Sequence, residues 1–235
     1  MSNEKRVAVI IGGGGDIGSV ICRTFAAKGI QVVISDYDAA KAESCAEALR
    51  QMGAEPFIAN GDNTSKSETQ KICDAVAGKF KRVDILVNSQ GSVHNELLFK
   101  LTEKAWRQTM SIHVDSTLNS MMAFGPLMRA QNYGRIINMS SIAVPGSLAG
   151  SSYGAAKGAI EGLSRTAALE WARYGITVNC VAPGLIGTGM FLTTPQQFQN
   201  SGIERTPMRR AGKPEEVAET ILDAVAEGAR IGRDI

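Results

Sequence analysis

Short runs of β-branched residues alternate with longer helical patterns along the whole chain. The strand candidates are residues 7–11, 31–35, 55–60, 83–88, 134–139 and 176–181, and the helical patterns cover about 16–28, 38–52, 65–80, 102–130, 153–174 and 214–228. Runs such as Val7–Ile11 are apolar on both faces, which favours strands of a parallel sheet buried between two layers of helices. The alternation therefore predicts an α/β fold with a doubly wound parallel sheet and right-handed crossovers.

No linker, repeat or low-complexity tract divides this alternation, so we predict one domain over residues 1–235. The formal net charge of +2 gives no reason to expect nucleic-acid binding. The four cysteines form no C-x-x-C pair, and no metal site is expected. Without a signal region or an apolar run approaching the roughly 20 residues of a membrane span, we expect a cytoplasmic protein with no membrane partner.

The first strand candidate leads directly into a glycine-rich run at residues 12–18, Gly-Gly-Gly-Gly-Asp-Ile-Gly. Glycines let backbone N–H groups approach a pyrophosphate, and the N-terminus of the following helix adds partial positive charge. Gly18 would let that helix pack close to the sheet. A plain tight turn is the alternative, but the position at the first strand–helix junction favours a dinucleotide site.

A carboxylate follows the second strand candidate: Asp36 stands 18 residues beyond Gly18. There it can accept hydrogen bonds from the adenosine ribose hydroxyls and repel a 2′-phosphate. The glycine loop holds no Arg or Lys to neutralise such a phosphate, and Asp16 adds negative charge. NAD(H) is therefore predicted over NADP(H). The alternative is that Asp36 only caps the next helix, a role for which Asp38 is the better candidate.

Tyr153 and Lys157 open a helical pattern and follow the serine pair Ser140-Ser141. At i and i+4 the two side chains lie on one helix face. A tyrosine that exchanges protons near neutral pH needs its pKa lowered by roughly three units, or about 4 kcal/mol. A nearby ammonium supplies Coulomb energy of about that size, before desolvation and screening subtract from it. A serine hydroxyl beside this pair can hold a substrate oxygen for proton transfer.

With these motifs in this order, the chain resembles the short-chain dehydrogenase/reductase family over nearly its whole length. The resemblance implies a Rossmann-type sheet, Tyr153 as the acid/base, and Lys157 as the group that lowers the tyrosine pKa and binds the nicotinamide ribose. It implies that Ser141, rather than Ser140, orients the substrate carbonyl, and that Asn88 steadies the central strands beside the cofactor. The residues it implies for binding NAD(H) are Gly12, Gly14, Gly15, Asp16, Ile17, Gly18, Asp36, Asp62, Asn63, Asn88, Gly91, Tyr153, Lys157, Pro183, Gly184, Ile186 and Thr188.

Several residues depart from the family pattern. Ile11 replaces the usual threonine, Asp16 a glycine, and the bulky Gln90 a small residue near the adenosine. His113 stands where the family carries a catalytic asparagine, which holds a water that links the lysine to solvent. A neutral histidine can hold the same water, and the alternative is that His113 only packs the helix. The last residues, 230–235, leave little for the family's seventh strand, which we expect to be truncated or missing.

Three further segments bear on the substrate and on partners. Residues 189–207 are polar, and we expect a mobile lid over the substrate there. Gly154, Gly158 and Gly162 recur every four residues and permit close helix approach. Because the corresponding helices form a homodimer interface in the family, we expect a homodimer or homotetramer, with close packing inside one subunit as the alternative. Arg129 and the basic residues after the lid form a solvated face, or else meet a phosphorylated carrier.

The leading hypothesis is an NAD(H)-dependent oxidoreductase that interconverts a small secondary alcohol and a ketone. A 3-oxoacyl-[acyl-carrier-protein] or acyl-CoA reductase is the alternative among enzymes, because residues 95–103 and 207–216 are similar to that subgroup. Most enzymes of that subgroup prefer NADPH, which Asp36 opposes. A catalytically silent NAD-binding protein is the alternative outside enzymes, and the intact Ser141, Tyr153 and Lys157 argue against it.

Overall fold

A computed structural model describes residues 5–93 and 95–226. Within them one sheet of six parallel strands has the order β3-β2-β1-β4-β5-β6. The strands are β1 (Val7–Ile11), β2 (Gln31–Ser35), β3 (Phe57–Ile58), β4 (Ile85–Asn88), β5 (Gly134–Met139) and β6 (Ile176–Val181). This is the strand order of a Rossmann-type doubly wound sheet, so the predicted fold class is confirmed. The expectation about a seventh strand concerns residues 230–235, which lie outside the described residues, as does His94.

Helices cover both faces of the sheet. Those in the described residues are α1 (Asp16–Ala27), α2 (Ala39–Gln51), α3 (Lys66–Phe80), α4 (Glu103–Met110), α5 (Ser116–Gln131), α6 (Ser151–Trp171), α7 (Gly189–Leu192), α8 (Gln196–Arg205) and α9 (Pro214–Ala224). Ala8 and Ile10 of β1 pack with α1, α2 and α9, whereas Val7, Val9 and Ile11 pack with α3, α5 and α6. Successive side chains of a strand point to opposite faces, which explains why β1 is apolar throughout. Among the described helices, none combines the length and apolar character needed to cross a membrane.

The long helical pattern predicted over 102–130 is divided. α4 ends at Met110, a π-helical turn covers Ser111–Asp115, and α5 then begins at Ser116. At this point the hydroxyls of Ser116 and Thr117 donate to the carbonyls four residues earlier, the second at 2.7 Å to His113. Such side-chain bonds to the backbone compete with the regular helical ladder, and π turns often mark functional sites.

Two other predictions differ from the structure in extent. The strand predicted at 55–60 is reduced to Phe57–Ile58 at the sheet edge. Pro56 precedes it and has no N–H group for the ladder. The predicted lid is partly helical, because α7 and α8 lie within residues 189–207.

A ladder of buried polar side chains joins the central strands near the site. Asn88 of β4 donates from Nδ2 to Oδ1 of Asn138 of β5 at 2.8 Å, and Asn138 donates in turn to Oγ of Ser164 at 2.8 Å. Ser120 of α5 donates to Oδ1 of Asn88 at 2.6 Å. Asn88 thus connects β4, β5 and α5 at the carboxyl end of the sheet, where ligands bind in doubly wound folds.

Candidate active site

The turn after β1 is a cradle that side chains would fill. Gly12 has a φ of +74°, and a Cβ there would lie 2.7 Å from Cα of Gln90. A Cβ at Gly18 would lie 2.0 Å from the carbonyl oxygen of Gly12, and one at Gly14 would lie 2.8 Å from the backbone of Lys41. Glycine is therefore required where the loop meets the sheet and the start of α1, which fits the close approach of a dinucleotide pyrophosphate.

Asp36 connects this loop to the end of β2. Its side chain is buried, with Oδ2 accepting from the amide of Gly14 and Oδ1 from the amide of Asp38, both at 3.0 Å. Asp38 is the N-cap of α2 and accepts from the amides of Ala40 and Lys41. Because each carboxylate oxygen has a second lone pair, Asp36 retains acceptor capacity for ribose hydroxyls.

A cleft of about 840 Å³ extends from the glycine loop along the ends of β2 and β4. The predicted cofactor residues that line it are Gly12, Gly15, Asp36, Asp62, Asn63 and Gly91. The predicted residues outside its lining are Gly14, Asp16, Ile17, Gly18, Asn88, Tyr153, Lys157, Pro183, Gly184, Ile186 and Thr188. The cleft is also lined by Tyr37 and Lys41, which the sequence reasoning missed. Their proximity to Asp36 in the sequence was the signal that could have indicated them.

Three buried polar atoms beside the cleft have no hydrogen-bond partner in the part of the chain that the structure describes. They are Oδ1 of Asn63, Oγ of Ser89 and Oε1 of Gln90. The amide of Gln90 instead points its nitrogen toward α5, donating to the hydroxyls of Ser116 at 2.9 Å and Thr117 at 3.0 Å. Unpaired buried polar atoms are costly, so their grouping indicates a polar ligand in this cleft.

The catalytic candidates come together at the carboxyl ends of β4 and β5. Tyr153, in the first turn of α6, is hydrogen-bonded to Ser141, which follows β5. Nζ of Lys157 lies 5.6 Å from the Tyr153 ring centroid and donates to the carbonyl of Met139 at 2.7 Å. Ser140 donates instead to the carboxylate of Glu161 at 2.6 Å, so Ser141 is the serine that contacts the tyrosine.

Burial dominates the ionisation of this group. It raises the pKa of Tyr153 above its ordinary value, against the lowering effect of the hydrogen bond with Ser141. Burial also lowers the pKa of Lys157 from 10.5 to about 8, against an opposing effect of Cys180. The direction at Tyr153 is opposite to the lowering that the family resemblance implies, because the phenol is removed from water while Lys157 donates to a backbone carbonyl.

His113 lies in the π-helical turn and is 1% exposed. Its ring centroid is 5.3 Å from that of Tyr153, and its Nε2 lies 2.7 Å from the carbonyl oxygen of Ser92. A Cβ at Gly91 would come within 2.7 Å of the imidazole Cε1, so glycine is needed beside the ring. Burial, and next the charge of Lys157, lower the pKa of His113 to about 4. The imidazole is therefore neutral near pH 7, and its Nδ1 has no partner within the described residues.

The residues between β6 and α7 lead into the lid, residues 189–207. The carbonyl of Pro183 accepts from the amide of Ile142, and Ile186 forms an isolated bridge with Gly212. At the first residue of α7, the amide of Gly189 donates to Oδ2 of Asp16 at 2.9 Å, which connects the lid to the glycine loop. Within residues 5–93 and 95–226, no group of three or more His, Cys, Asp or Glu side chains could hold a metal ion.

The pKa of His113 makes the stability of the fold depend on pH. Between its ordinary value of 6.5 and its folded value of about 4, the unfolded chain binds a proton that the folded chain does not. The free energy of unfolding should therefore fall as the pH decreases through this interval, by roughly 3 kcal/mol in total. Urea unfolding at pH 4.5 and pH 7 should show a smaller difference for His113→Asn than for the unsubstituted chain. His94→Asn measures how much the other histidine contributes to this pH dependence. If the difference in unfolding free energy between the two pH values is unchanged in His113→Asn, the assignment is contradicted.

A family model described as enoyl-(acyl carrier protein) reductase matches residues 14–230. A Thauera aromatica protein, the (2S)-[(R)-hydroxy(phenyl)methyl]succinyl-CoA dehydrogenase subunit BbsD, is 34% identical over 222 residues, covering 94% of this chain and 90% of that protein. Galactitol 2-dehydrogenase (L-tagatose-forming) of Cereibacter sphaeroides is 35% identical over 221 residues, covering 92% and 85%. The crystal structure of an NAD⁺-bound xylitol dehydrogenase is similar with a TM-score of 0.92 and 27% identity, covering 96% and 94%.

The family model covers the glycine loop from Gly14 onward, the catalytic candidates and the whole of residues 189–207. The similarity to the xylitol dehydrogenase structure agrees with the Rossmann-type sheet. The chain belongs to the short-chain dehydrogenase/reductase family and is an oxidoreductase of that family.

Proposed function

We propose that this chain is an NAD(H)-dependent oxidoreductase that interconverts a secondary alcohol and a ketone, with Tyr153 as the acid/base. The observation that carries the proposal is the contact of Tyr153 with Ser141 and its proximity to Lys157, beside a glycine cradle. Bound NAD(H) supplies the hydride acceptor or donor, the nicotinamide C4. The protein's own residues then have to hold the substrate oxygen and to move one proton.

In the reducing direction, the Tyr153 hydroxyl donates its proton to the ketone oxygen while Ser141 donates a hydrogen bond to the same oxygen. Tyr153, which is half-buried, is left as a phenolate that the buried Lys157 ammonium stabilises. Because the pKa of Lys157 is about 8, most of this side chain is charged near pH 7. In the oxidising direction, the Tyr153 phenolate accepts the alcohol proton.

We assign His113 the position of the water-holding residue that the family fills with asparagine. Its Nε2 is hydrogen-bonded to the backbone carbonyl of Ser92. Nδ1 is then a buried acceptor that has no partner in the described part of the chain. His113 and Lys157 lie beside the same ring, since the Tyr153 ring centroid is 5.3 Å from that of His113 and 5.6 Å from Nζ of Lys157. A water on Nδ1 would connect Lys157 to solvent and allow the lysine–tyrosine pair to recover its proton.

The residues that would hold NAD(H) follow the cleft. Gly12, Gly14 and Gly18 leave room for the pyrophosphate, and Asp36 would accept from the adenosine ribose hydroxyls. Asp62 and Asn63 lie at the adenine side, where Asn63 has a buried unpaired Oδ1. At the other end, Pro183, Gly184, Ile186 and Thr188 would contact the nicotinamide, and Lys157 its ribose.

A 3-oxoacyl-[acyl-carrier-protein] or acyl-CoA reductase is the second candidate function. It is favoured by the name of the Thauera aromatica relative, a dehydrogenase subunit for a succinyl-CoA derivative, at 34% identity. The galactitol dehydrogenase favours a free alcohol instead, at 35% identity. Rates with a panel of polyols, simple ketones and 3-oxoacyl-CoA compounds, measured with NADH and with NADPH, distinguish the two. Cofactor binding with no turnover across the whole panel would support a silent protein.

Replacing Tyr153 by Phe removes the transferable proton and leaves the ring in place. We expect kcat to fall by roughly 10³-fold, within the usual range for loss of an acid/base group, while the Kd for NADH stays within about twofold. Steady-state kinetics and NADH fluorescence titration measure the two quantities. Tyr174→Phe is the matched control, because Tyr174 follows the far end of α6 beside Arg129 and Arg173. Retained turnover in Tyr153→Phe would contradict the proposed role.

The preference for NAD(H) has its own test. Asp36→Ala removes the carboxylate that repels a 2′-phosphate and leaves Lys41 in the same cleft to attract one. The ratio of kcat/KM for NADPH to kcat/KM for NADH should rise at least about tenfold. Asp38→Ala, which removes only the α2 cap, should reduce stability by about 1 kcal/mol and leave that ratio unchanged. A chain that prefers NADPH before substitution would contradict the cofactor assignment.

We also propose that one face of α6 forms the interface of a homodimer or homotetramer. Ala155, Gly162 and Leu169 recur every seven residues on this helix and are exposed. A Cβ at Gly162 would meet no atom within 4 Å in its own subunit, which leaves this position open to a second copy of the chain. At Gly154 a Cβ would lie 3.0 Å from the carbonyl oxygen of Ala143, and at Gly158 one would lie 3.8 Å from Val144, so these two glycines fit the alternative of close packing inside one subunit. The family is generally oligomeric, which supports a second copy of the chain as the occupant of this face.

Gly162→Arg should fold, since arginine is the better helix former and the site is open, but it should lower the oligomer mass measured by sedimentation velocity. Gly78→Arg is the matched control, because Gly78 lies within α3 and is equally open. Equal masses for both variants and the unsubstituted chain would place the interface elsewhere.

We propose a cytoplasmic location as well. Cys22, Cys45 and Cys73 are buried free thiols, and Cys180 is also free. Free thiols are usual in reducing compartments, where disulfides are rare. Fractionation of the native host with an antibody against the chain tests this location.

A further inference from the structure

Asp16 and the start of the lid are joined across the cofactor end of the fold. Oδ2 of Asp16, the first residue of α1, accepts from the amide of Gly189, the first residue of α7, at 2.9 Å. A Cβ at Gly189 would lie 3.1 Å from the same carboxylate oxygen, so glycine allows the lid backbone to approach. Thr188, the expected nicotinamide contact, immediately precedes this residue.

Within the described residues, the lid is joined to itself at its base and is otherwise largely exposed. The segments before α7 and after α8 are joined to each other. The amide of Gly187 donates to the carbonyl of Gly212, and the amide of Gly212 donates to the carbonyl of Leu185, both at 2.8 Å. No residue of α8 is buried, and Phe198 is 68% exposed. A segment with so little buried apolar surface opens easily, so a single bond to a charged group has a large share in holding it closed.

Asp16 also places a carboxylate near the expected position of the pyrophosphate. Asp16 adjoins Gly15, which lines the cleft, at the helix end that is expected to face the pyrophosphate. A free carboxylate there would repel the two phosphates. Bonded to Gly189, the carboxylate is directed toward the lid instead, and its charge strengthens the bond.

We propose that Asp16 is a positioning residue that fastens the lid to the glycine loop, and that breaking the Asp16–Gly189 contact opens the region beside Thr188 where the nicotinamide is expected to bind. This inference rests on the proposed NAD(H)-dependent function for its effect on the cofactor. The contact itself lies within the chain and is testable without a cofactor. Asp16 thereby acts on the reaction through the lid, and it takes no part in the proton transfer.

The first experiment is limited trypsin digestion of the full chain without cofactor, with cleavage after Arg205, Arg209 and Arg210 followed by mass spectrometry. Asp16→Ala should be cleaved about tenfold faster in this region, because the open population rises when a charge-assisted bond is lost. Asp16→Asn keeps an acceptor oxygen but loses the charge, so its cleavage rate should lie between those of Asp16→Ala and the unsubstituted chain. Asp38→Ala, which removes a carboxylate that caps α2, should also match the unsubstituted chain.

A second variant approaches the contact from the lid side. Gly189→Ala places a methyl group 3.1 Å from Oδ2 of Asp16 at an exposed position, so it should fold and should also accelerate cleavage. Cleavage rates of Asp16→Ala and Gly189→Ala equal to that of the unsubstituted chain would overturn the proposal.

The second experiment measures NADH dissociation by stopped-flow fluorescence. Asp16→Ala should release NADH about tenfold faster, and Asp16→Asn, which keeps an acceptor but loses the charge, should release it at an intermediate rate. If the carboxylate acts by repelling phosphate instead of fastening the lid, both variants will release NADH more slowly, and the proposal is wrong. An unsubstituted chain that binds no NADH would contradict the proposed function, while the digestion result would still decide whether the contact holds the lid.

Discussion

The close approach of the β1 and β4 loops at Gly12 is the constraint on which both halves of the site depend. Because a Cβ at Gly12 would collide with Gln90, the glycine loop and the loop after β4 share one narrow space. Gln90 then bonds to the first residues of α5, and Gly91 next to it contacts the imidazole of His113. His113 in turn packs against the edge of the Tyr153 ring. A chain of contacts thus runs from the pyrophosphate cradle to the proposed acid/base.

Desolvation is the common cause behind the ionisation of the catalytic group. Burial raises the pKa of Tyr153, lowers the pKa of Lys157 to about 8 and lowers the pKa of His113 to about 4, so each neutral form is favoured. A phenolate forms in such a site only beside a positive charge. Lys157 provides that charge below about pH 8, where it is still protonated, and His113 stays neutral over the same range. A neutral histidine would therefore hold the proposed water without adding a second positive charge beside Lys157.

The sequence predicts the parts of this molecule that depend on local composition. Apolar strands such as Val7–Ile11 and the glycine run indicate the sheet, its order and the cofactor edge. Features that depend on tertiary contacts cannot be predicted from local composition. The π-helical turn around His113 arises from hydroxyl bonds to backbone carbonyls that periodicity does not reveal, and Lys41 reaches the cleft because α2 packs against Gly14. The direction of the Tyr153 pKa also follows from burial, which spacing alone does not measure.

The cofactor end and the substrate end of the site are built from different kinds of structure. The cofactor end consists of strand ends and of buried polar atoms such as Oδ1 of Asn63. The substrate end is formed by loops and by a lid with exposed apolar side chains, among them Ile142 beside Ser141 and Leu192 in α7. Loops on a rigid scaffold tolerate substitution. Relatives near 35% identity can therefore carry the names of a galactitol 2-dehydrogenase and of a (2S)-[(R)-hydroxy(phenyl)methyl]succinyl-CoA dehydrogenase subunit on one fold. Since Asp16 joins the glycine cradle to the lid, a change in the lid would be transmitted to the cofactor end of the site through this contact.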